Sequence, residues 1–406
     1  MTDQLKHRKA EARLHILNPD GTPAANRAVR IDQVSHQFLF GCGAFDAVAL
    51  MFAQNKEHRA MLLGRMGKWL GLFNYGTVPF YWGRYEPAEG QTAFAETMAA
   101  AQWLQEKGVR VKGHPLCWHT VCAPWLMQYS NEEILRRQLE RIRRDVTAYK
   151  GVIDMWDVIN EVVIMPVFDK YDNAVTRICK DLGRIRLVKE VFAAAKESNP
   201  GATLLINDFN TSVSYEILLE GILEAGVPVS AIGIQSHQHQ GYWGLEKLND
   251  VLERFSRFGL PIHFTENTLI SGALMPPHIV DLNDWQVDSW PSTPEGEERQ
   301  AREMTEMYSV LFAHPLVEAI TTWDFIDGGW LKSPAGFIRE DGSEKPAYFA
   351  LKELIHGEWE THETLTTDGE GNVAFTGFKG GYILKTENGE AEFTLNHDSN
   401  DTAKLE

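Results

Sequence analysis

Two glutamates, Glu161 and Glu266, each lie near the end of an apolar run and have amide, imidazole and indole side chains close by in other runs. Glycoside hydrolysis needs one carboxylic acid to protonate the leaving oxygen and a second carboxylate to attack or to activate water. Amides and imidazoles bind sugar hydroxyls, and indole faces pack against pyranose rings. A single glutamate at a strand end is more often solvated or ion-paired, so the prediction depends on these residue types meeting at one place.

Eight apolar runs alternate with amphipathic helical stretches and supply the elements that would bring these residues together. The runs are near-continuous in hydrophobicity, as expected for strands covered on both faces of a parallel sheet. They span residues 38–44, 72–80, 109–118, 152–161, 202–209, 230–239, 261–269 and 316–326. This pattern predicts the α/β class and a (β/α)8 TIM barrel, with a doubly wound open sheet as the alternative.

In a barrel of this kind the reactive groups lie at the carboxyl ends of the strands. The fourth and seventh predicted strands would place Glu161 and Glu266 at the same mouth. The other polar and aromatic candidates at these strand ends are His114, Trp118, His119, Trp156, Asn160, Asn207, Asp208, Gln235, His237, His239, Asn267, Trp323, Asp324, Asp327 and Trp330.

Both ends of the chain have a different pattern from the barrel. Residues 12–36 contain two strand-like runs around a Pro-Asp-Gly turn, and the tail from about residue 360 alternates apolar and polar residues between glycine-rich turns. Neither piece is long enough to form a core alone. We therefore predict that residues 1–36 and 359–406 share one small accessory β-sandwich, and that residues 37–358 form the barrel.

The composition is that of a globular protein with a strong negative charge. The 406 residues include 39 Lys+Arg and 56 Asp+Glu, which gives a formal charge of −17. This charge disfavours nucleic acid and anionic membranes as partners, and no run of about 18 apolar residues could span a bilayer. Four cysteines and the lack of a signal-like apolar start favour the cytoplasm, with an exported protein that has lost its signal as the alternative.

Six sequence blocks resemble those of family 10 glycoside hydrolases, the clan-A (β/α)8 xylanases, and they occur in the family's order. The acid/base block of the family is matched by WDVINE (156–161). The others are GHPLCWH (113–119), NDFN (207–210), GIQSH (233–237), FTEN (264–267) and TTWDFIDGGWL (321–331). The resemblance covers about residues 36–358.

The resemblance implies a retaining mechanism with Glu161 as general acid/base and Glu266 as nucleophile. The two carboxyl groups of such a pair lie about 5–5.5 Å apart. Asn160 would bind the sugar 2-hydroxyl, and His237 would bind Glu266. The remaining predicted substrate-binding residues are His114, Trp118, Gln235, Trp323, Trp330 and Tyr81.

The chain departs from the family mainly where substrate is recognised. The family's Glu-Asn-x-x-Lys-Trp block reads TVPFYW (77–82) here, so Thr77, Val78 and Tyr81 replace the glutamate, asparagine and lysine that grip the non-reducing side. Val121 stands for a glutamine, and Thr268 for the aspartate that partners the family's histidine. We therefore predict divergent specificity on a xylan-related, β-linked plant-type glycan or oligosaccharide.

Other interpretations of the sequence remain open. The chain is either such a divergent hydrolase, an ordinary endo-β-1,4-xylanase, or a non-catalytic glycan-binding barrel. The spacing of His114, Cys117, His119 and Cys122 is weak support for a metal site, because alternate strand residues point to opposite sides. No metal or other cofactor is implied. Trp285 and Trp290 fit equally well as sugar platforms or as packing residues, and the oligomeric state is not assigned.

Overall fold

The computed structural model describes residues 4–406, so the first three residues of the predicted N-terminal segment lie outside it. The strands in chain order are β1 (Lys9–Leu17), β2 (Ala28–His36), β3 (Leu39–Gly43), β4 (Tyr75–Pro79), β5 (Arg110–His114), β6 (Met155–Asn160), β7 (Thr203–Asp208), β8 (Ala231–Gln238), β9 (Ile262–Leu269), β10 (Val317–Thr322), β11 (His362–Thr366), β12 (Asn372–Phe378), β13 (Gly380–Thr386), β14 (Gly389–Leu395) and β15 (Ser399–Lys404).

The α-helices follow the strands of the central part of the chain. They are α1 (Phe45–Phe52), α2 (Lys56–Leu70), α3 (Trp82–Tyr85), α4 (Phe94–Glu106), α5 (Asn131–Ala148), α6 (Ala174–Leu182), α7 (Arg184–Ser198), α8 (Val213–Glu224), α9 (Gly244–Ser256), α10 (Pro294–Ala313) and α11 (Pro346–Glu353). Across residues 4–406 no helix is both long and apolar enough to cross a membrane.

Strands β3 to β10 form a closed barrel in which neighbours pair in parallel and β10 returns to β3. This confirms the predicted (β/α)8 barrel and excludes the open sheet. Each predicted apolar run contains one of these strands. Gly108 and Gly151, which precede β5 and β6, have φ values of 77° and 86°, a conformation that glycine adopts without a Cβ clash.

The two ends of the chain form a pair of sheets with a common core, as predicted. One sheet has the order β12-β1-β15 and the other β11-β2-β13-β14, so each contains strands from both ends. Side chains from both sheets bury together, including Leu14, Ile31, Phe375 and Leu384. The proposed domain boundaries at residues 36/37 and 358/359 stay a prediction.

The sandwich packs against the end of the barrel that lies opposite the carboxyl ends of the strands. Arg8 donates from Nη2 to the carbonyl of His314 at 2.7 Å and from Nε to that of Phe312 at 2.8 Å, beside the start of β10. Trp359 stacks on Phe312 with ring centres 4.2 Å apart. The terminal strands therefore brace the barrel from the far side and leave its mouth open to the loops that follow each strand.

Candidate active site

The two predicted carboxyl groups lie at the mouth of the barrel. Glu161 directly follows β6, and Glu266 lies within β9. The exposed fractions of their side chains are 15% and 5%, respectively. Glu161 has φ = 58°, a left-handed conformation that costs a non-glycine residue about 1–2 kcal/mol. Its N–H donates to the carbonyl of Asn207 at 2.8 Å, which ties this strained residue to β7.

Buried amides connect the two carboxyl groups. Asn207 donates from Nδ2 to Glu266 Oε1 at 2.7 Å and to Asn160 Oδ1 at 2.9 Å. Gln235 donates from Nε2 to the same Asn160 oxygen at 3.0 Å and to Glu161 Oε1 at 3.2 Å. Four barrel strands therefore hold both carboxyl groups in one hydrogen-bond network. Asn207 was only one of many strand-end candidates in the sequence, and the structure gives it the bridging position.

The two carboxyl groups differ in acidity. Burial raises the pKa of Glu161 to about 8, and the nearby Glu266 and Asp208 carboxylates add to this shift against the hydrogen bond from Trp118. Burial also acts to raise the pKa of Glu266, but the electrostatic effect of His114 and the hydrogen bond with His237 outweigh it, so the pKa lies below its usual value. At neutral pH the site therefore holds one protonated and one ionised carboxyl group.

A buried chain of polar and charged groups continues from Glu266 into the barrel. His114 Nε2 is 3.8 Å from Glu266 Oε1, and its Nδ1 is 2.7 Å from Asp157 Oδ2. The same Asp157 oxygen is 2.7 Å from Lys112 Nζ. Lys112 and Asp157 are fully buried and were not among the predicted site residues. The signal for them was a charged residue in the interior of each strand, Lys112 in β5 and Asp157 in β6.

His237 contacts Glu266 from the other side. Its Nε2 lies 3.1 Å from Glu266 Oε2, and its Nδ1 lies 3.4 Å from the hydroxyl of Thr268. That hydroxyl is also 3.3 Å from Nδ1 of His239, whose pKa burial lowers to about 3. Thr268 thus provides a neutral partner for both imidazoles at the position where the resemblance leads one to expect an aspartate.

Replacing Thr268 with valine should lower kcat/KM about tenfold, because His237 loses the partner that orients the ring toward Glu266. A tenfold loss corresponds to about 1.4 kcal/mol, the size of one hydrogen bond. Initial rates on an aryl β-glycoside across pH would measure it. Thr305→Val is the matched control, since Thr305 makes a comparable hydrogen bond within α10, to the carbonyl of Ala301. Equal kcat/KM values for both variants would show that Thr268 does not position His237.

Aromatic side chains line the space around the two carboxyl groups. Trp118 donates from Nε1 to Glu161 Oε2 at 2.8 Å, and its ring lies 5.6 Å from that of Tyr81. Trp323 lies 5.2 Å from His114, and Trp330 lies 4.6 Å from His237. The structure therefore brings all ten predicted site residues together, with Tyr81 at the edge formed by β4.

The two tryptophans of the loop after β9, Trp285 and Trp290, pack against each other. Trp290 is buried and donates from Nε1 to the carbonyl of Ala273 at 2.8 Å, so it packs beneath a loop and does not offer a free face. Trp285 packs against it with ring centres 6.0 Å apart.

Cys117, one of the four residues whose spacing gave weak support for a metal site, is buried in the barrel core. Among residues 4–406 no group of three or more His, Cys, Asp or Glu side chains is placed to hold a metal ion.

A parallel (β/α)8 barrel with a protonated and an ionised carboxyl group at its mouth is the arrangement that glycoside hydrolases of this fold use. A family model described as "Glycosyl hydrolase family 10" matches residues 79–354, well over half of the chain. The chain belongs to this family. It is a glycoside hydrolase that resembles endo-1,4-β-xylanases.

The chain is similar to several curated xylanases. It is 27% identical over 328 residues to "Endo-1,4-beta-xylanase B" of Thermotoga neapolitana, a match that covers 76% of this chain and 84% of that protein. It is 29% identical over 234 residues to "Endo-1,4-beta-xylanase/feruloyl esterase" of Xylanibacter ruminicola. That match covers 50% of this chain and 32% of the relative, so the chain spans about a third of the relative's length.

Solved structures support the fold. A structure of xylanase 10B from Thermotoga petrophila in complex with xylobiose superimposes with a TM-score of 0.65 at 22% identity, covering 79% of this chain and 95% of that one. A family 10 structure from Paenibacillus barcinonensis gives a TM-score of 0.63, also at 22% identity, with 79% and 96% covered.

Proposed function

We propose that the chain is a retaining β-glycosidase acting on a xylan-related glycan, with Glu161 as general acid/base and Glu266 as nucleophile. The opposite ionisation of two carboxyl groups held in one hydrogen-bond network carries this proposal. The high pKa of Glu161 keeps a proton available at neutral pH, and the low pKa of Glu266 keeps a carboxylate available.

The reaction has two displacements. In the first, Glu266 forms a bond to the anomeric carbon as the bond to the leaving oxygen breaks, and the Glu161 proton passes to that oxygen. In the second, Glu161 takes a proton from water, the water oxygen bonds to the anomeric carbon, and Glu266 leaves. Both steps need Glu266 oriented, which His237, His114 and Asn207 accomplish by their contacts.

The predicted substrate contacts follow from the positions of the surrounding side chains. Asn160 lies between the two carboxyl groups and is the proposed partner of the sugar 2-hydroxyl. Gln235, Trp118 and His114 border the same space, and Trp323, Trp330 and Tyr81 offer it aromatic surface. The exchange of the family's lysine for Tyr81 replaces a positive charge with a phenol. We therefore include a specificity that differs from plain xylan in the proposal.

The proposed location and partner depend on the sequence alone. The small number of cysteines favours the cytoplasm, with an exported protein as the alternative. A cytoplasmic enzyme would meet imported oligosaccharides more than intact polymer, which fits a β-linked oligosaccharide as partner.

A mechanism-based label tests the proposal. A 2-deoxy-2-fluoro-β-xylobioside with a dinitrophenyl leaving group should add one fluoroglycosyl group to the protein, because the fluorine slows both displacements while the dinitrophenolate leaving group keeps the first one fast. Peptide mass spectrometry should place the label on Glu266. Thr305→Val serves as a variant that should label normally. Label on a residue other than Glu266 would refute the assignment of the nucleophile. A failure to label although the substrate is bound would favour the glycan-binding alternative.

A further inference from the structure

The loop between β9 and α10 carries residues 276–288, which we call the strap. It begins after the strand that holds Glu266 and extends outward, so that Val280 is 98% exposed. Side chains from the loops after β8 and β10 bind the two ends of the strap. Gln240, after β8, donates from Nε2 to the carbonyl of Ile279 at 2.8 Å, and Lys332, after β10, donates to that of Val287 at 3.2 Å.

The tip of the strap reaches the loop on the far side of Glu161. Lys170, which follows β6, places Nζ 2.6 Å from Asp281 Oδ2 and 2.6 Å from Asp284 Oδ1. The barrel order puts β7 and β8 between β6 and β9, so this contact passes over the ends of two strands. His119, after β5, packs against Phe168 of the same loop as Lys170, with ring centres 4.5 Å apart, so this loop also reaches the opposite wall.

The strap is joined to the surroundings of both carboxyl groups. Asn283 accepts a hydrogen bond from Trp330 Nε1 at 3.3 Å, and Trp330 lies 4.6 Å from His237, the partner of Glu266. On the Glu161 side, His119 Nε2 is 4.0 Å from Glu161 Oε2. Contacts therefore lead from the strap to a neighbour of each reacting group.

Packing, more than charge, fixes the strap. An exposed ion pair such as those of Lys170 contributes only about 0–1 kcal/mol. The underside of the strap adds apolar contacts against a separate buried cluster that contains Ile270, Met275, Trp290 and Ala335. The strap residues that pack on it are Ile279, Leu282, Trp285 and Val287. The strap is thus a packed part of the structure and not a loose loop.

We propose that the strap closes the mouth of the barrel against side-on entry, so that substrate enters by a free chain end and the enzyme cleaves short oligosaccharides and chain termini. An internal bond of a long glycan reaches a pair of carboxyl groups only if the chain lies across an open groove. The strap joins the β9 loop to the β6 loop across that path. This inference rests on the proposed retaining β-glycosidase function.

The wild-type enzyme provides the first test. On soluble β-1,4-xylan, viscosity should fall at least about tenfold less per new reducing end than with an endo-acting family 10 xylanase at matched turnover, while xylo-oligosaccharides are cleaved readily. A viscosity fall per bond equal to that of the endo-acting enzyme would overturn the proposal.

Variants of the strap contact provide the second test. The double variant Lys170→Met/Leu282→Ala removes the ion pairs of the tip and part of the packing beneath it. It should raise the viscosity fall per reducing end at least threefold and leave kcat/KM on an aryl β-xyloside within about twofold, and Lys170→Met alone should give a smaller increase. Lys385→Met is the matched control, because Lys385 forms an exposed ion pair with Glu390 in the sandwich. Equal viscosity behaviour of all variants and wild type would count against the strap.

Failure of this inference is distinguishable from failure of the proposed function. If the fluoro-sugar label reaches Glu266 but wild type cleaves polymer internally, the chemistry stands and the strap proposal falls. If Glu266 is not labelled, the retaining function itself falls, whatever the strap does.

Discussion

Glu266→Ala should lower kcat/KM on β-glycosides by at least about 10⁴-fold, because it removes the carboxylate that forms the bond to the anomeric carbon. The loss corresponds to about 5.4 kcal/mol of transition-state stabilisation. The surroundings should survive, since Asn207, His114 and His237 can keep their other partners. Steady-state rates on an aryl β-xylobioside would measure this loss of kcat/KM.

A chemical rescue separates loss of the nucleophile from loss of the fold. Azide can occupy the space left by the side chain and attack the anomeric carbon as the phenolate leaves, which forms an α-glycosyl azide in a single displacement. Product analysis by NMR would show this inverted configuration. Rescue by azide to a β-glycosyl azide, or activity close to wild type without azide, would contradict the assignment of Glu266.

Glu216→Ala is the control for removal of a buried carboxylate. Glu216 is 8% exposed, lies in α8 and pairs with Arg254 at 2.7 Å, outside the site. Its loss should lower the thermal midpoint, yet kcat/KM should stay within about threefold of wild type. A large loss of activity in both variants would mean that the barrel tolerates neither change. The activity of a folded Glu266→Asp variant would then be compared with that of wild type.

Glu161→Gln should remove the basic limb of the pH profile and lower kcat on unactivated substrates about 10²–10⁴-fold, the usual contribution of general acid–base catalysis. Glu161 is protonated below its pKa of about 8 and loses its proton above it, so wild-type activity should fall as the pH rises through about 8. Activity should fall at the acidic end when Glu266 becomes protonated, below its ordinary pKa.

The leaving group provides the internal control for this prediction. A dinitrophenolate departs without a proton, so the first displacement in Glu161→Gln should stay fast and a burst of phenolate should precede slow turnover. Trp118→Phe removes the hydrogen bond that favours ionised Glu161, and its basic limb should move to higher pH. A Glu161→Gln profile that keeps a basic limb near pH 8 would assign that limb to another group.

The same pKa shift has a consequence for stability. Folded Glu161 binds its proton more tightly than the unfolded chain does, so this group stabilises the fold fully below its unfolded pKa near 4.5, and the contribution disappears as the pH rises to about 8. Glu161→Gln has no such dependence. Its urea midpoint relative to wild type should therefore rise between pH 5 and pH 8.

The amino-acid sequence by itself determined the barrel and the carboxylate pair. Near-continuous apolar runs separated by helical stretches and C-capping glycines such as Gly108 specify each unit locally, and eight units of this kind close on themselves. Glu161 and Glu266 follow from that closure because every strand of a parallel barrel presents its carboxyl end at the same mouth. The pairing of the two chain ends was also predictable, since neither piece could bury its apolar face alone.

Tertiary structure alone decided the difference in pKa between Glu161 and Glu266 and the position of the strap. The difference in pKa between Glu161 and Glu266 depends on burial and on Lys112, Asp157 and His114, which meet only after β5 and β6 pair. The position of the strap depends on packing against the cluster that contains Trp290 and Ala335, and on Lys170 reaching Asp281 and Asp284, more than a hundred residues further along the chain. Local patterns cannot encode such contacts, because distance and burial in the folded state set their energies.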